Sequence, residues 1–188
     1  LGDIRQVDGV VSVAPVIEGQ VLVMDANNAT GAIVRGFTQD YMRTKPLLAN
    51  SVVAGDINDF TGDKVGVGIK LAEKFNITVG DKVTLMAPKG RASPFGTIPR
   101  TAQYTVGLIF DVGMHEYNSG FVFMPLDTAQ VFFQLPAGSA NLLEVMSNDP
   151  QKVDKIKEAI SVVTAGRAGV YDWRDSNPSF FSALKVER

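Results

Sequence analysis

The sequence predicts an α+β fold in which a β-rich part assembled from both chain ends surrounds a second, inserted β-rich part. Three observations carry that expectation. Both ends hold β-branched runs and a β-helix-β pattern, while the middle holds one long hairpin. No repeat of fixed period runs along the chain. Its 188 residues, 45% apolar and 20% charged, suffice for one domain or two small interleaved ones, and 18 glycines with 9 prolines are too few for a disordered or collagen-like chain.

Each element follows from local pattern. Ile4 and Val7, three apart ahead of Gly9, read as the end of a helix. Residues 10–13 and then Val16, Ile17, Val21 and Val23 read as two short strands broken at Pro15 and Gly19, and 32–37 follows the turn residues Asn27, Asn28 and Gly31. From Gln39 to Lys64, a polar stretch punctuated by Pro46, Gly55 and Gly62 suits a short helix and connections. Val67, Leu71, Ala72 and Phe75 fall at helical spacing, predicting a helix over 66–75 that stops at Asn76. Gly80-Asp81 turns into a strand over 82–86, whose hairpin partner is 103–112. Residues 121–124 read as a buried strand, and Pro125 opens a helix to Leu135 with Leu126, Ala129, Val131 and Phe133 as packing residues. Residues 141–146 are strand-like, Asp149-Pro150 caps a helix striped by Val153, Ile156 and Ile160, and 170–173 closes with a short strand. The outer part is thus expected at 1–38 and 139–175, around an insertion at 39–138.

Composition excludes several functions. Eighteen Lys and Arg against twenty Asp and Glu leave a net charge of −2, so no global basic field attracts nucleic acid or an anionic membrane. The lack of Cys removes disulfides, thiolate chemistry, iron–sulfur clusters and cysteine-bound zinc, and leaves the compartment open. No apolar run approaches the roughly 20 residues of a membrane span, and Leu1 in place of an initiator Met reads as the start of an excised piece.

His115, the one histidine, has Asp111 and Glu116 nearby but no second His three or four residues away, so the spacing favours a loop or turn residue over a metal ligand. A Ser-His-Asp arrangement meets only in space, and no Gly-x-Ser-x-Gly elbow is present. Gly66-Val67-Gly68 lacks the third glycine of a dinucleotide loop, and there is no Walker motif. The sequons at Asn28 and Asn76 are short enough to arise by chance. Phe180, Phe181 and Leu184 form an apolar face near the end, either a docked terminal helix or the lead-in to a further segment. Neither a metal nor a cofactor is expected.

The most informative segment lies inside the hairpin: Pro88, Lys89, Gly90, Arg91, Ala92, Ser93, Pro94, Phe95, Gly96, Thr97, Ile98, Pro99 and Arg100. Hairpin connections usually take two to five residues, and longer ones tend to be functional. The three prolines stiffen the segment and remove donors, which should keep it off the strand ladder and make it project. Lys82, Lys89, Arg91 and Arg100 fall between Asp81 and Asp111 with no acid among them, a local +4. Phe95 and Ile98 lack obvious burial partners. A stiff basic arm with an apolar tip suits partner recognition, because rigidity lowers the ordering cost and rings anchor interfaces. The alternative is a loop that folds back and buries Phe95.

The order of motifs resembles the periplasmic domain of lipoprotein-releasing transporter permeases of the LolC/LolE family, which belong with MacB-type transporters. The resemblance covers nearly the whole chain and rests on residues 10–16 (VVSVAPV), 77–83 (ITVGDKV), the loop 93–99 (SPFGTIP) and the end 180–188 (FFSALKVER), which looks like the approach to a transmembrane helix. It implies a MacB-like periplasmic core domain of a bacterial inner-membrane protein. Its split porter-like subdomain would take 1–38 and 139–175, its inserted β-rich, Sabre-like subdomain 39–138, and the lead-in 176–188. The loop would be a hook that captures the periplasmic lipoprotein chaperone LolA, with Pro94, Phe95, Gly96, Ile98 and Pro99 the closest matches. The further partners implied are a second permease subunit, an ATPase subunit that hydrolyses ATP, and lipoprotein cargo. Where the family carries an Arg and a Gln-Arg pair as a supporting pad, this chain has Thr84, Thr101 and Ala102. Arg100 and Lys82 are the candidates to replace that charge, and the departure leaves open a hook-bearing homodimeric permease. The rivals are a MacB-like efflux or signalling permease domain that contacts an adaptor protein, and a small hydrolase built on His115. An insertion between membrane helices would put Leu1 and Arg188 on the same side.

Overall fold

The computed structural model of the chain describes residues 2–93 and 96–176. In chain order the elements are α1 (Gly2–Arg5), β1 (Val10–Met24), β2 (Ala29–Phe37), α2 (Gln39–Thr44), α3 (Pro46–Ala49), β3 (Val52–Gly55), β4 (Lys64–Gly68), α4 (Ile69–Phe75), β5 (Lys82–Ser93), β6 (Gly96–Phe110), α5 (His115–Gly120), β7 (Phe121–Pro125), α6 (Leu126–Phe132), β8 (Leu142–Ser147), α7 (Val153–Thr164) and α8 (Trp173–Ser176). The described residues fall into two compact units, one within Leu1–Ala14 and Glu144–Arg188, the other within Pro15–Leu143.

The larger unit is a closed ring of six strands. β1 pairs antiparallel with β2, β2 parallel with β7, β7 antiparallel with β4, β4 parallel with β6, β6 antiparallel with β5, and β5 returns to β1 over Thr84–Met86. Closure removes open edges, which is why these strands tolerate long apolar runs. β3 lies outside the ring and pairs with the end of β6. Alternate residues divide between two cores. Val21, Val23, Val34, Val67, Leu85 and Val122 pack with Leu71 and Phe75 of α4 and Phe132 of α6. On the opposite strand face, Phe110 stacks on Phe123 at 3.9 Å, beside Phe37, Phe60 and Met42. Val122 and Phe123 therefore both bury, on opposite faces, as the continuous apolar run at 121–124 predicts.

Four local expectations are corrected. β1 is one strand of 15 residues, not two: Gly19 breaks nothing, because it makes room for the Phe133 ring, which a Cβ would overlap. Residues 66–68 belong to β4 and only 69–75 are helical; Val67 is fully buried between β6 and β7, so long-range pairing overrides its helical spacing. In α6, Val131 is 66% exposed and its neighbour Phe132 takes the buried position. The final strand expected at 170–173 does not form, since Asp172 instead caps the turn α8. By contrast, Asn76 ends α4 in the left-handed region at φ 51°.

The smaller unit has its own core. Ile4 and Val13 pack with Ile156 and Ile160 of α7, the last two on the stripe read from sequence. The Asp149 side chain accepts the Gln151 N–H at 2.9 Å, capping the turn that leads into α7. The Asn148 N–H donates to the Gly9 carbonyl at 3.0 Å, joining the two chain segments.

Candidate partner-binding site

The hairpin of β5 and β6 starts from a braced root. Thr78 donates its N–H and hydroxyl to Asp81 Oδ2 at 2.8 and 2.9 Å, closing the turn into β5 and holding the Asp81 carboxyl below its usual range. Lys82 donates to Thr105 Oγ1 at 2.7 Å and faces Asp63 at 3.6 Å. Gln103 Nε2 donates to Thr84 Oγ1 at 3.3 Å across the pair. Val83, Leu85 and Ala87 point into the ring core, as does Tyr104, whose phenol burial pushes up in pKa against the pull of Arg100.

Above the root the pair continues alone. β5 touches β1 only as far as Met86, and β6 meets β4 and β3 only from Thr105 onward. Between them lies a two-stranded ribbon with no third strand among the described residues. Its register runs regularly from Lys82 opposite Thr105 to Ala87 opposite Arg100, shifts, and resumes with Arg91 opposite Ile98, Ala92 opposite Thr97 and Ser93 opposite Gly96. The shift sets Pro88, Lys89 and Gly90 against Pro99 alone. Prolines lacking N–H groups cannot maintain a ladder there, and a bulge absorbs the surplus residues.

This corrects the expectation that the prolines keep the whole segment off the ladder: they interrupt it only at Pro88 and Pro99, and pairing returns beyond. Pro88 and Pro99 are exposed and Ile98 is 60% exposed. Pro94 and Phe95 lie outside the described residues, as do Phe180, Phe181, Leu184, Leu1 and Arg188. At the pad positions, Thr84 accepts from Gln103, Thr101 is exposed and Ala102 packs partly on the ring core. Lys82 faces Asp63, so its charge is locally matched. Sequence reasoning missed Asp63 and Gln103 as braces of the root; Asp63 lies 19 positions before Lys82, and nothing local signals their meeting.

The other candidates separate. His115 opens α5 and is exposed. Asp111 accepts from the Gly113 N–H at 2.8 Å and from Asn118 Nδ2 at 2.6 Å, serving the turn beneath α5. Among the described residues no group of three or more His, Asp or Glu is placed to hold a metal. Gly66 and Gly68 lie in the buried strand β4, where Gly68 allows the Asn118 backbone to approach. No helix of the described residues is long and apolar enough to cross a membrane.

The six-strand ring with its ribbon and the small unit built from both chain ends together make a mixed α/β module, and the chain belongs to the MacB-like periplasmic core domain family, whose model matches residues 1–163. Among curated proteins it is similar to the lipoprotein-releasing system transmembrane protein LolC of Neisseria meningitidis, 28% identical over 96% of this chain and 44% of that protein. It is also similar to LolC of Xylella fastidiosa, 25% identical over 95% of this chain and 43% of that protein. The chain spans less than half the length of these relatives. Among solved structures, the extracellular domain of the noncanonic ABC-type transporter YknZ from Gram-positive bacteria shares the fold, with a TM-score of 0.57, 19% identity and coverage of 88% of this chain and 81% of that one.

Proposed function

We propose that this chain is the periplasmic domain of a permease subunit in a lipoprotein-releasing ABC transporter. In this reading residues 88–100 are the hook that recruits the chaperone LolA, to which lipoproteins drawn from the inner membrane are handed. The observation that supports it is the ribbon: among the described residues, 87–93 and 96–104 pair only with each other, reaching roughly 20 Å beyond the ring at about 3.3 Å per residue. A two-stranded ribbon standing alone in water is marginal. Prolines at its bulge and an apolar residue left exposed near its tip make sense if a partner completes its burial. The domain does no chemistry of its own in this scheme; ATP hydrolysis belongs to another subunit, and a second permease subunit completes the assembly.

The test is binding of purified LolA to the chain by calorimetry, beside a variant in which 88–99 are replaced by a two-residue Asn-Gly turn. Loss of binding with an unchanged melting temperature supports the hook. Retained LolA binding by the shortened variant overturns it, and a chain that ignores LolA but captures a periplasmic adaptor protein supports the efflux or signalling alternative instead.

A further inference from the structure

Away from the ribbon, five charged groups converge where α8 meets α7. Asp172 caps α8: its Oδ1 accepts from the backbone N–H groups of Arg174 at 2.8 Å and Asp175 at 3.3 Å, while Asp175 Oδ2 accepts from the Asp172 N–H at 2.9 Å. That reciprocal arrangement is a capping box on a helix of one turn. The Arg174 guanidinium bonds the Asp172 carboxylate at 2.8 and 3.2 Å and also reaches Asp154 on α7, where one of its two contacts measures 3.2 Å. Lys157, one turn further along α7, meets Asp175 at 2.5 Å and Asp172 at 3.6 Å.

These contacts differ in what they cost to break. Asp154 is 74% exposed, so its pair with Arg174 is screened by water and salt. The Asp172 side chain is only 4% exposed, and a carboxylate so covered needs both cations opposite it. Arg174 and its hydrogen bonds accordingly hold Asp172 far below the usual carboxylate range. A four-residue helix does not sustain itself, because nucleation costs more than one turn returns. The core of the unit, Ile4, Val13, Ile156 and Ile160, is built without residues 172–176. Just before the turn, Tyr171 is 79% exposed.

We propose that residues 172–176 are an ionic strap, docked on α7 by Asp154, Lys157, Asp172, Arg174 and Asp175, and able to lift off as one unit while the core of α1, β1 and α7 stays folded. Docked, it ties the point where residue 176 leaves to the axis of α7; lifted, it frees that point. The strap thereby sets how freely residue 176 moves relative to α7. It is independent of the chaperone reading, and either can fail alone.

The experiment is amide hydrogen exchange by NMR on the full chain, with 5-fluorotryptophan at Trp173, the single tryptophan, as second reporter. Arg174→Met keeps the aliphatic stem and removes the charge. Exchange at the Asp172, Arg174 and Asp175 amides is expected to rise at least tenfold and a second fluorine resonance to appear, while α7 amides keep their protection. Adding Asp172→Asn to that variant removes the covered carboxylate that has lost its Arg174 partner but keeps a cap acceptor, and should return most of the protection. The proposal is overturned if Arg174→Met leaves the strap amides as protected as before, if the double variant stays as open as the single one, or if α7 loses protection in step with the strap.

Discussion

Replacing Ile98 by Ala separates a partner contact from a structural one. Ile98 lies in the ribbon opposite Arg91 and is 60% exposed. The change removes three carbon groups, each contributing about 0.8 kcal/mol when fully buried, or about 2.4 kcal/mol together. With 60% of the residue exposed, the part already covered in the free chain amounts to about 1 kcal/mol of stability. For a chain of this length that is about 2–4 °C in Tm. The exposed part is what a partner can still bury, about 1.4 kcal/mol or roughly tenfold in Kd. Calorimetric titration of LolA into wild-type and Ile98→Ala chains, beside thermal melts followed by circular dichroism, measures both terms. A Tm loss beyond about 8 °C with an unchanged Kd would refute the reasoning, because the side chain would then be core.

Phe95→Ala is expected to weaken LolA binding roughly 30-fold, the loss common for an aromatic anchor of about 2 kcal/mol, with little change in Tm. Pro94→Gly should also weaken binding by freeing the unbound tip, whereas Arg91→Ala should lower mainly the association rate and its salt dependence, both readable by stopped flow. Gly19→Ala should destabilise by about 1–3 kcal/mol in urea melts, because its Cβ overlaps the Phe133 ring; an unchanged midpoint would mean that α6 can shift. Acid is expected to destabilise as well. The Asn27 N–H at Asp25, the Thr78 N–H at Asp81 and the Gly113 N–H at Asp111 are the leading causes that hold these carboxyls below 3.8. Since the folded pKa is the lower one, that stability is whole above the unfolded value and is lost as pH falls through the folded values. Asp81→Asn should flatten the decline in Tm below about pH 4, and an equally steep decline would count against it.

Features carried by a few adjacent residues were legible in the sequence. Asn76 stops α4 because a short polar side chain tolerates the left-handed region, and Asp149 ahead of Pro150 marks the turn into α7 because its carboxylate can take an orphan N–H. The apolar stripe through Ile156 and Ile160 and the long insertion between 82 and 112 are equally local signals, and so is the motif order that resembles the family later matched over 1–163. A glycine or a valine, however, has no fixed meaning until its neighbours in space are known. Gly19 looks like a strand break and is a slot for Phe133; Val67 has helical spacing and is a strand residue pressed between β6 and β7.

What the residues determined alone is therefore the alphabet of short elements and the composition of the arm: three prolines, the cations Lys89, Arg91 and Arg100, and the apolar Phe95 and Ile98. The tertiary structure decided the rest. It closed six strands into a ring through pairings as distant as Val23 with Leu85, left the ribbon without a third strand among the described residues, matched Lys82 with Asp63, and gathered Asp154, Lys157, Asp172, Arg174 and Asp175 into one cluster. The physical reason is range. Capping, turn and propensity effects act over one to four residues along the chain, whereas ring closure, close packing at a glycine and the matching of a buried carboxylate depend on which distant segments burial of apolar surface brings together.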